Sequence, residues 1–238
     1  MMIHGLKSED RFAASVDDIL ARAGVHLTTG TDFDEYREIM AKGRPDHVIG
    51  APFDPTLHNL NERNSIWVIG RDDDGTVMHA QALRTLDLGG RTLGAYLRRS
   101  FRDFPPSGLD LDMKRSRYQA GPGAKRIAGE VVYHGEVWMG GAPGQYRGTG
   151  VSSILGRYAF LTAIQKWSPD YVIGFMPKAV AHKGFVERQG YMHAEPFALQ
   201  WYVKGRPDPL DGMMVYMSLE DLHFALGLPE EEMEILAA

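Results

Sequence analysis

An α/β fold on one mixed, mostly antiparallel sheet is what this 238-residue sequence predicts, and three observations carry that prediction. Strand-like runs alternate with segments of helical period along the chain, one early pair of strands is joined by a tight turn, and two strands stand together near the end. No Pro/Gly/Ser linker separates two halves. Residues 1 to 238 therefore read as a single domain, with 1 to 24 as an N-terminal helical extension, 93 to 128 as an insertion and 229 to 238 as an acidic tail.

Residues 16 to 23 (VDDILARA) look like a short helix stopped by Gly24, and 25 to 28 alternate like a brief strand. Asp32, with Glu35 three residues on, marks the next helix start, because each side chain can satisfy a free amide of the first turn; Gly43 and Pro45 mark its end. Residues 46 to 64 have no period and read as loop with one helical turn. The β-rich runs 66 to 69 and 76 to 86 flank Arg-Asp-Asp-Asp-Gly, a hairpin connection in which Gly75 can take positive φ. Around Pro105-Pro106 and Gly121-Pro122-Gly123 the pattern fails, so 93 to 128 reads as an insertion or a mobile substrate loop with short helices.

Residues 130 to 139 (EVVYHGEVWM) form another strand, and apolar residues at 151, 154, 155, 158 and 159 predict an amphipathic helix over 151 to 165. A strand over 171 to 176 leads into a helix over 178 to 189, with Gly190 placed for a left-handed ending. Strands over 197 to 203 and 213 to 217 complete the sheet. Ser218, Asp221 at the third helical position and Gly227 bracket a last helix.

Lys plus Arg is 26 against 31 for Asp plus Glu, a net charge of -5, which argues against a protein that coats nucleic acid through a general positive field. The cations between Arg98 and Arg126 read as a solvated surface or as a contact for a phosphate or an acidic substrate. No apolar run approaches the roughly 18 to 20 residues that cross a bilayer, and the first ten residues lack a signal-peptide core, so no membrane partner and a cytoplasmic location are expected. The absence of cysteine excludes a disulfide framework, a thiolate zinc site and a cysteine nucleophile. His47, His58, His79 and His193 have no paired ligand spacing, and no metal is expected. Oligomeric state stays open, a homodimer included.

The stretch richest in chemistry is Gln145-Tyr146-Arg147-Gly148-Thr149-Gly150, between a strand ending near Met139 and a helix beginning near Val151. Its glycines let the backbone approach a ligand, and the first-turn amides with the positive end of the helix dipole suit a pyrophosphate. A P-loop would need Gly-Lys-Ser/Thr, but Val151 and Ser152 follow Gly150. A dinucleotide fingerprint would need Gly or Ala at Ser153, and an acid closing the next strand, where Asp170 instead opens it. A plain glycine turn without a ligand is the remaining alternative.

The Q-x-x-G-x-G hexapeptide between a strand and a helix resembles the coenzyme A pyrophosphate loop of the general N-acetyltransferase (GNAT) superfamily. The order of elements from Val25 to Met217 and the ending Phe185 to Tyr191 (FVERQGY) agree with that resemblance. It implies a GNAT-like acyl-CoA N-acyltransferase fold with splayed fourth and fifth strands, acetyl-CoA or another acyl-CoA as co-substrate, and a small-molecule amine as acceptor. It also implies that Gln145 and the amides of Arg147, Gly148, Thr149, Gly150 and Val151 hold the pyrophosphate. Val137, Trp138 and Met139 would run beside the pantetheine arm, whose amides can satisfy a splayed strand's unpaired groups. Trp138 reads equally well as core.

The sequence also departs from the family. The tyrosine that often protonates the departing thiolate is Val186 here, and a common helix-start asparagine is Ala179. His182, one helical turn before Val186, is the candidate acid, with Tyr191 as another. For the base, Glu130, His134, Glu136 and Trp138 share parity and so are expected on one strand face; His134 and Glu136 are the candidates, since an attacking ammonium must first lose a proton. The expected reaction is acetyl transfer to an amine by direct attack. The alternatives are a non-catalytic acyl-CoA-binding or sensor module on the same fold and, less favoured, a nicotinamide-dependent oxidoreductase.

Overall fold

The computed structural model describes residues 8 to 142, 144 to 146 and 148 to 228. The acidic tail, the first seven residues and Arg147 therefore lie outside the described residues. The chain runs through α1 (Ser8–Arg22), β1 (His26–Gly30), α2 (Phe33–Gly43), a 3₁₀ turn (Ala51–Phe53), β2 (Ser65–Arg71) and β3 (Val77–Leu86). Next come α3 (Leu93–Ser100), β4 (Arg117–Tyr118), α4 (Pro122–Arg126), β5 (Val131–Met139) and α5 (Val151–Trp167). It closes with β6 (Tyr171–Pro177), α6 (Lys178–Val180), α7 (Val186–Arg188), β7 (His193–Trp201), β8 (Leu210–Ser218) and α8 (Leu219–Leu226).

Several starts and stops follow from local chemistry. The Asp32 carboxylate accepts from the amides of Asp34 and Glu35 and so satisfies two orphan donors of α2, a cap of about 1 kcal/mol. Ser218 and Asp221 form a reciprocal capping box at α8. Gly75 closes the β2–β3 turn at φ 81°.

Among the described residues one eight-stranded sheet has the order β1-β2-β3-β5-β6-β8-β7-β4. Its neighbours are antiparallel except β5 and β6. Strand residues alternate between two cores, as a pleated sheet covered on both faces requires. Leu83, Val132, Val172 and Val215 pack under α1, α5 and α8, whereas Ala82, Val131, Tyr133 and Ile173 pack under α2, α3 and α4.

One expectation needs correction here. α5 is not an amphipathic surface helix: twelve of its 17 residues are buried, because α1 and α8 flank it while the sheet lies beneath. Residues 93 to 128 form α3, a 3₁₀ turn, β4 and α4, and β4 pairs with β7 to extend the sheet's edge.

Candidate active site

β5 and β6 pair over three residues only, Val131 with Tyr171, Val132 with Val172 and Tyr133 with Ile173. Beyond that point β5 stays with β3 as far as Met139, and β6 stays with β8 as far as Pro177. The two strands thus part in a V, and the facing edges of 134 to 139 and 174 to 177 have no strand partner in each other. Such an opened edge can receive an extended, amide-bearing chain.

The glycine loop stands at the wide end of β5. Gly148 and Gly150 take φ of 72° and 73°, a region that side-chain-bearing residues rarely enter. Among the described residues a Cβ built on Gly148 would meet nothing within 4 Å. Gly150 caps α5 without any side-chain bond, and the first turn of α5 carries no acidic residue, which leaves the positive end of the dipole unopposed. Gln145 folds back to accept from the Ala142 amide at 2.9 Å. Thr149 donates its hydroxyl to the Tyr146 carbonyl at 2.8 Å.

A β-bulge in β5 overturns the expected shared face. Ala80 pairs with Trp138 and Ala82 with Gly135, so two steps along β3 match three along β5. Glu136 sits inside the bulge at φ 56°. The extra residue reverses the parity: His134 faces the α5 layer, whereas Glu136 and Trp138 face the α2 layer. Glu130 lies before the strand and is exposed. Trp138 packs into the α2-side core with the Arg44 guanidinium 4.5 Å above its ring, and Met139 packs on the opposite core.

Glu136 is tightly held. Its Oε2 accepts from His47 Nε2 at 2.8 Å and its Oε1 from the Gly50 amide at 2.8 Å. Gly50 is required for that approach, since a Cβ there would stand 2.7 Å from Glu136 Oε1. A left-handed non-glycine residue costs about 1 to 3 kcal/mol, and two bonds to a charged acceptor offset it at about 1.5 to 3 kcal/mol each. The side chain is 6% exposed and lines a cavity of about 710 Å³. Burial, and then the negative charge of Glu136, raise the Tyr36 phenol well above its ordinary pKa.

His134 has different surroundings. Gln81 donates through Nε2 to the Leu155 carbonyl, so its Oε1 accepts from His134 Nε2 at 3.1 Å, and His134 Nδ1 accepts from the Tyr191 hydroxyl at 2.9 Å. Both ring nitrogens are engaged inside the core, and His134 does not line the cavity. Burial, followed by the proximity of His79, lowers its pKa to about 3. His79 is lowered to about 4 by burial, partly offset by its bond to the Trp138 carbonyl. Burial also raises the Tyr191 phenol.

The helix expected over 178 to 189 is broken. Lys183 and Gly184 leave helical conformation, Gly184 at φ 73°, so His182 and Val186 do not share a helical face. His182 is exposed and lines the cavity together with Ala179, while Val186 is buried against the α5 layer. Among the described residues His182 has no hydrogen-bond partner.

Sequence reasoning missed His47 and the cavity wall. Gly50, Pro52 and Phe53 come from a segment without periodicity, and Phe104, Pro105 and Pro106 from the 93 to 128 segment. The Pro-Pro step was the available signal, since it marks a fixed extended wall rather than a helix or strand. Among the described residues there is no helix long and apolar enough to cross a membrane and no group of three or more His, Asp or Glu able to hold a metal.

No family model matches the chain, and no curated protein matches it. Solved structures do. An N-acetyltransferase from Staphylococcus aureus aligns over 82% of this chain and 98% of its own at 13% identity and a TM-score of 0.44. A chimera of the Vibrio cholerae spermidine N-acetyltransferase aligns over 84% and 98% at 10% identity and a TM-score of 0.48. A dodecameric structure of the Vibrio cholerae enzyme aligns over 83% and 95% at 11% identity and a TM-score of 0.46.

Proposed function

We propose that the chain is an acyltransferase of the GNAT type, and that it transfers an acetyl group from acetyl-CoA to the nitrogen of an amine. The observation that carries this reading is the V between β5 and β6, which opens between the glycine loop and the cavity that Glu136 lines. In it, the pyrophosphate lies against the amides around Gly148 and Gly150 and the first turn of α5. The pantetheine arm lies along Val137 to Met139, and the thioester reaches the cavity.

Glu136 takes the proton from the acceptor ammonium. The freed nitrogen attacks the thioester carbonyl, the C–S bond breaks as that nitrogen gives up its second proton to water, and the thiolate takes a proton at the rim. His182 supports that last role by its exposure and its place on the cavity wall. The Tyr191 hydroxyl is already committed to His134. A second reading, an acyl-CoA-binding module without turnover, is favoured by Val186, whose buried side chain offers no proton.

Titration calorimetry with acetyl-CoA tests the proposal. Gly148→Asp places a carboxylate beside the diphosphate and a side chain at φ 72°, so Kd should rise by about 10²-fold in a variant that remains folded. Unchanged affinity would remove the loop from the cofactor site. Acetyl-CoA binding without transfer to any amine would favour the module.

A further inference from the structure

The cavity beyond Glu136 is built for a particular kind of amine. Its wall is formed by Phe53, Phe104, Tyr133, Phe175, Leu199 and Trp201. Four of these rings pack into one aromatic surface: Phe104 meets Tyr133 edge-on at 5.0 Å and Phe175 edge-on at 5.6 Å, while Phe53 stacks on Tyr133 at 5.5 Å. Leu109, 38% exposed, and Leu210 carry the apolar lining toward the opening.

Charge in the cavity is sparse. Among the described residues that line it, Glu136 and Asp211 are the acidic ones, and Asp211 already faces Lys178 Nζ at 3.9 Å. A polycation threading this space would find two carboxylates, one of them already facing Lys178, and any further ammonium would lose hydration against aromatic carbon, a cost that cation–π attraction of about 0.5 to 2 kcal/mol offsets only in part. An apolar body would instead remove aromatic surface from water while a single ammonium meets Glu136. The volume of about 710 Å³ is ample for a body of one or two rings.

We infer that the acceptor is a primary amine on a bulky apolar, aromatic-type body, bound as a single cation against Glu136, and not a polyamine. The inference rests on the proposed acetyl transfer for its chemistry. The cavity's preference is measurable without turnover.

The experiment uses the full chain with tryptamine, ethylamine and spermidine as probes. With acetyl-CoA present, kcat/KM for tryptamine should exceed that for each of the other two by about 10²-fold. Leu109→Asp, at a partly exposed position outside the core, should raise KM for tryptamine about tenfold with kcat nearly unchanged. Equal or better use of spermidine or ethylamine, or a Leu109→Asp enzyme with unaltered KM, would overturn the inference while leaving acetyl transfer intact. If acetyl-CoA does not bind, the proposed function fails, and calorimetry of tryptamine against the protein alone still decides the cavity: uptake of tryptamine over spermidine supports the inference, and the reverse or no uptake overturns it.

Discussion

Two polar clusters stand back to back on β5, and they share ingredients but not circumstances. On the α5 side, Gln81, His134 and Tyr191 form a buried network, close to the buried His79, in which both His134 nitrogens already have partners. On the α2 side, Glu136 accepts from His47 and Gly50, and its side chain, 6% exposed, lines a cavity. A histidine with an ordinary pKa near neutrality is a natural base by residue type. What separates the two clusters is access: the first has exchanged reactivity for packing order, and the second holds its charge at a wall where a substrate can meet it.

The largest expected effect lies in the closed cluster and concerns stability. His79 and His134 have folded pKa values of about 4 and about 3, below the value of about 6.5 in an unfolded chain. The unfolded state therefore binds more protons as pH falls, so stability is full above about pH 6.5 and declines below it toward the folded values. At pH 5 the loss should be about 2 kcal/mol for each histidine. Urea unfolding at pH 7 and pH 5 measures it, and His134→Gln should flatten the slope by about half. A slope unaltered by that substitution would place the acid sensitivity elsewhere.

A smaller effect probes the open cluster. His47 holds Glu136 but does not itself line the cavity, which makes it a positioning residue. His47→Ala should lower kcat about 30-fold with acetyl-CoA affinity unchanged, and His47→Gln, which keeps a donor, should recover part of the rate. Equal rates in all three proteins would detach His47 from the reaction.

The smallest concerns the proton returned to the thiolate. His182→Ala should slow turnover by at most about tenfold, at or below the low end of general-acid effects, because a thiolate is weakly basic and water reaches the same exposed rim. Adding Val186→Tyr should restore nothing, since that side chain points into the α5-side core. A recovered rate in the double variant would contradict the kinked geometry at Gly184.

Much of this was legible in the chain itself. The capped starts of α2 and α8, the hairpin at Gly75 and the positive-φ glycines of the loop are local effects, and local chemistry encodes them. The β5 bulge was not legible. Alternation along EVVYHGEVWM counts residues, and nothing in the string says that Glu136 occupies a step of its own, so parity put His134 and Glu136 together. The helix over 178 to 189 failed for a related reason: its period carries no mark of the turn at Lys183 and Gly184, after which Val186 packs into the α5-side core. The cavity wall joins residues from six separate segments, between Gly50 and Gly212, a contact that no short-range period records.

The most direct test compares the two clusters in one assay. Acetyl transfer to tryptamine at saturating acetyl-CoA is measured for the wild type, Glu136→Gln and His134→Gln. Loss of the base should lower kcat about 10²-fold or more in Glu136→Gln, while a folded His134→Gln should stay within a fewfold of wild type, with both variants binding acetyl-CoA normally. A Glu136→Gln enzyme at full rate beside a His134→Gln enzyme that has lost it would contradict the account.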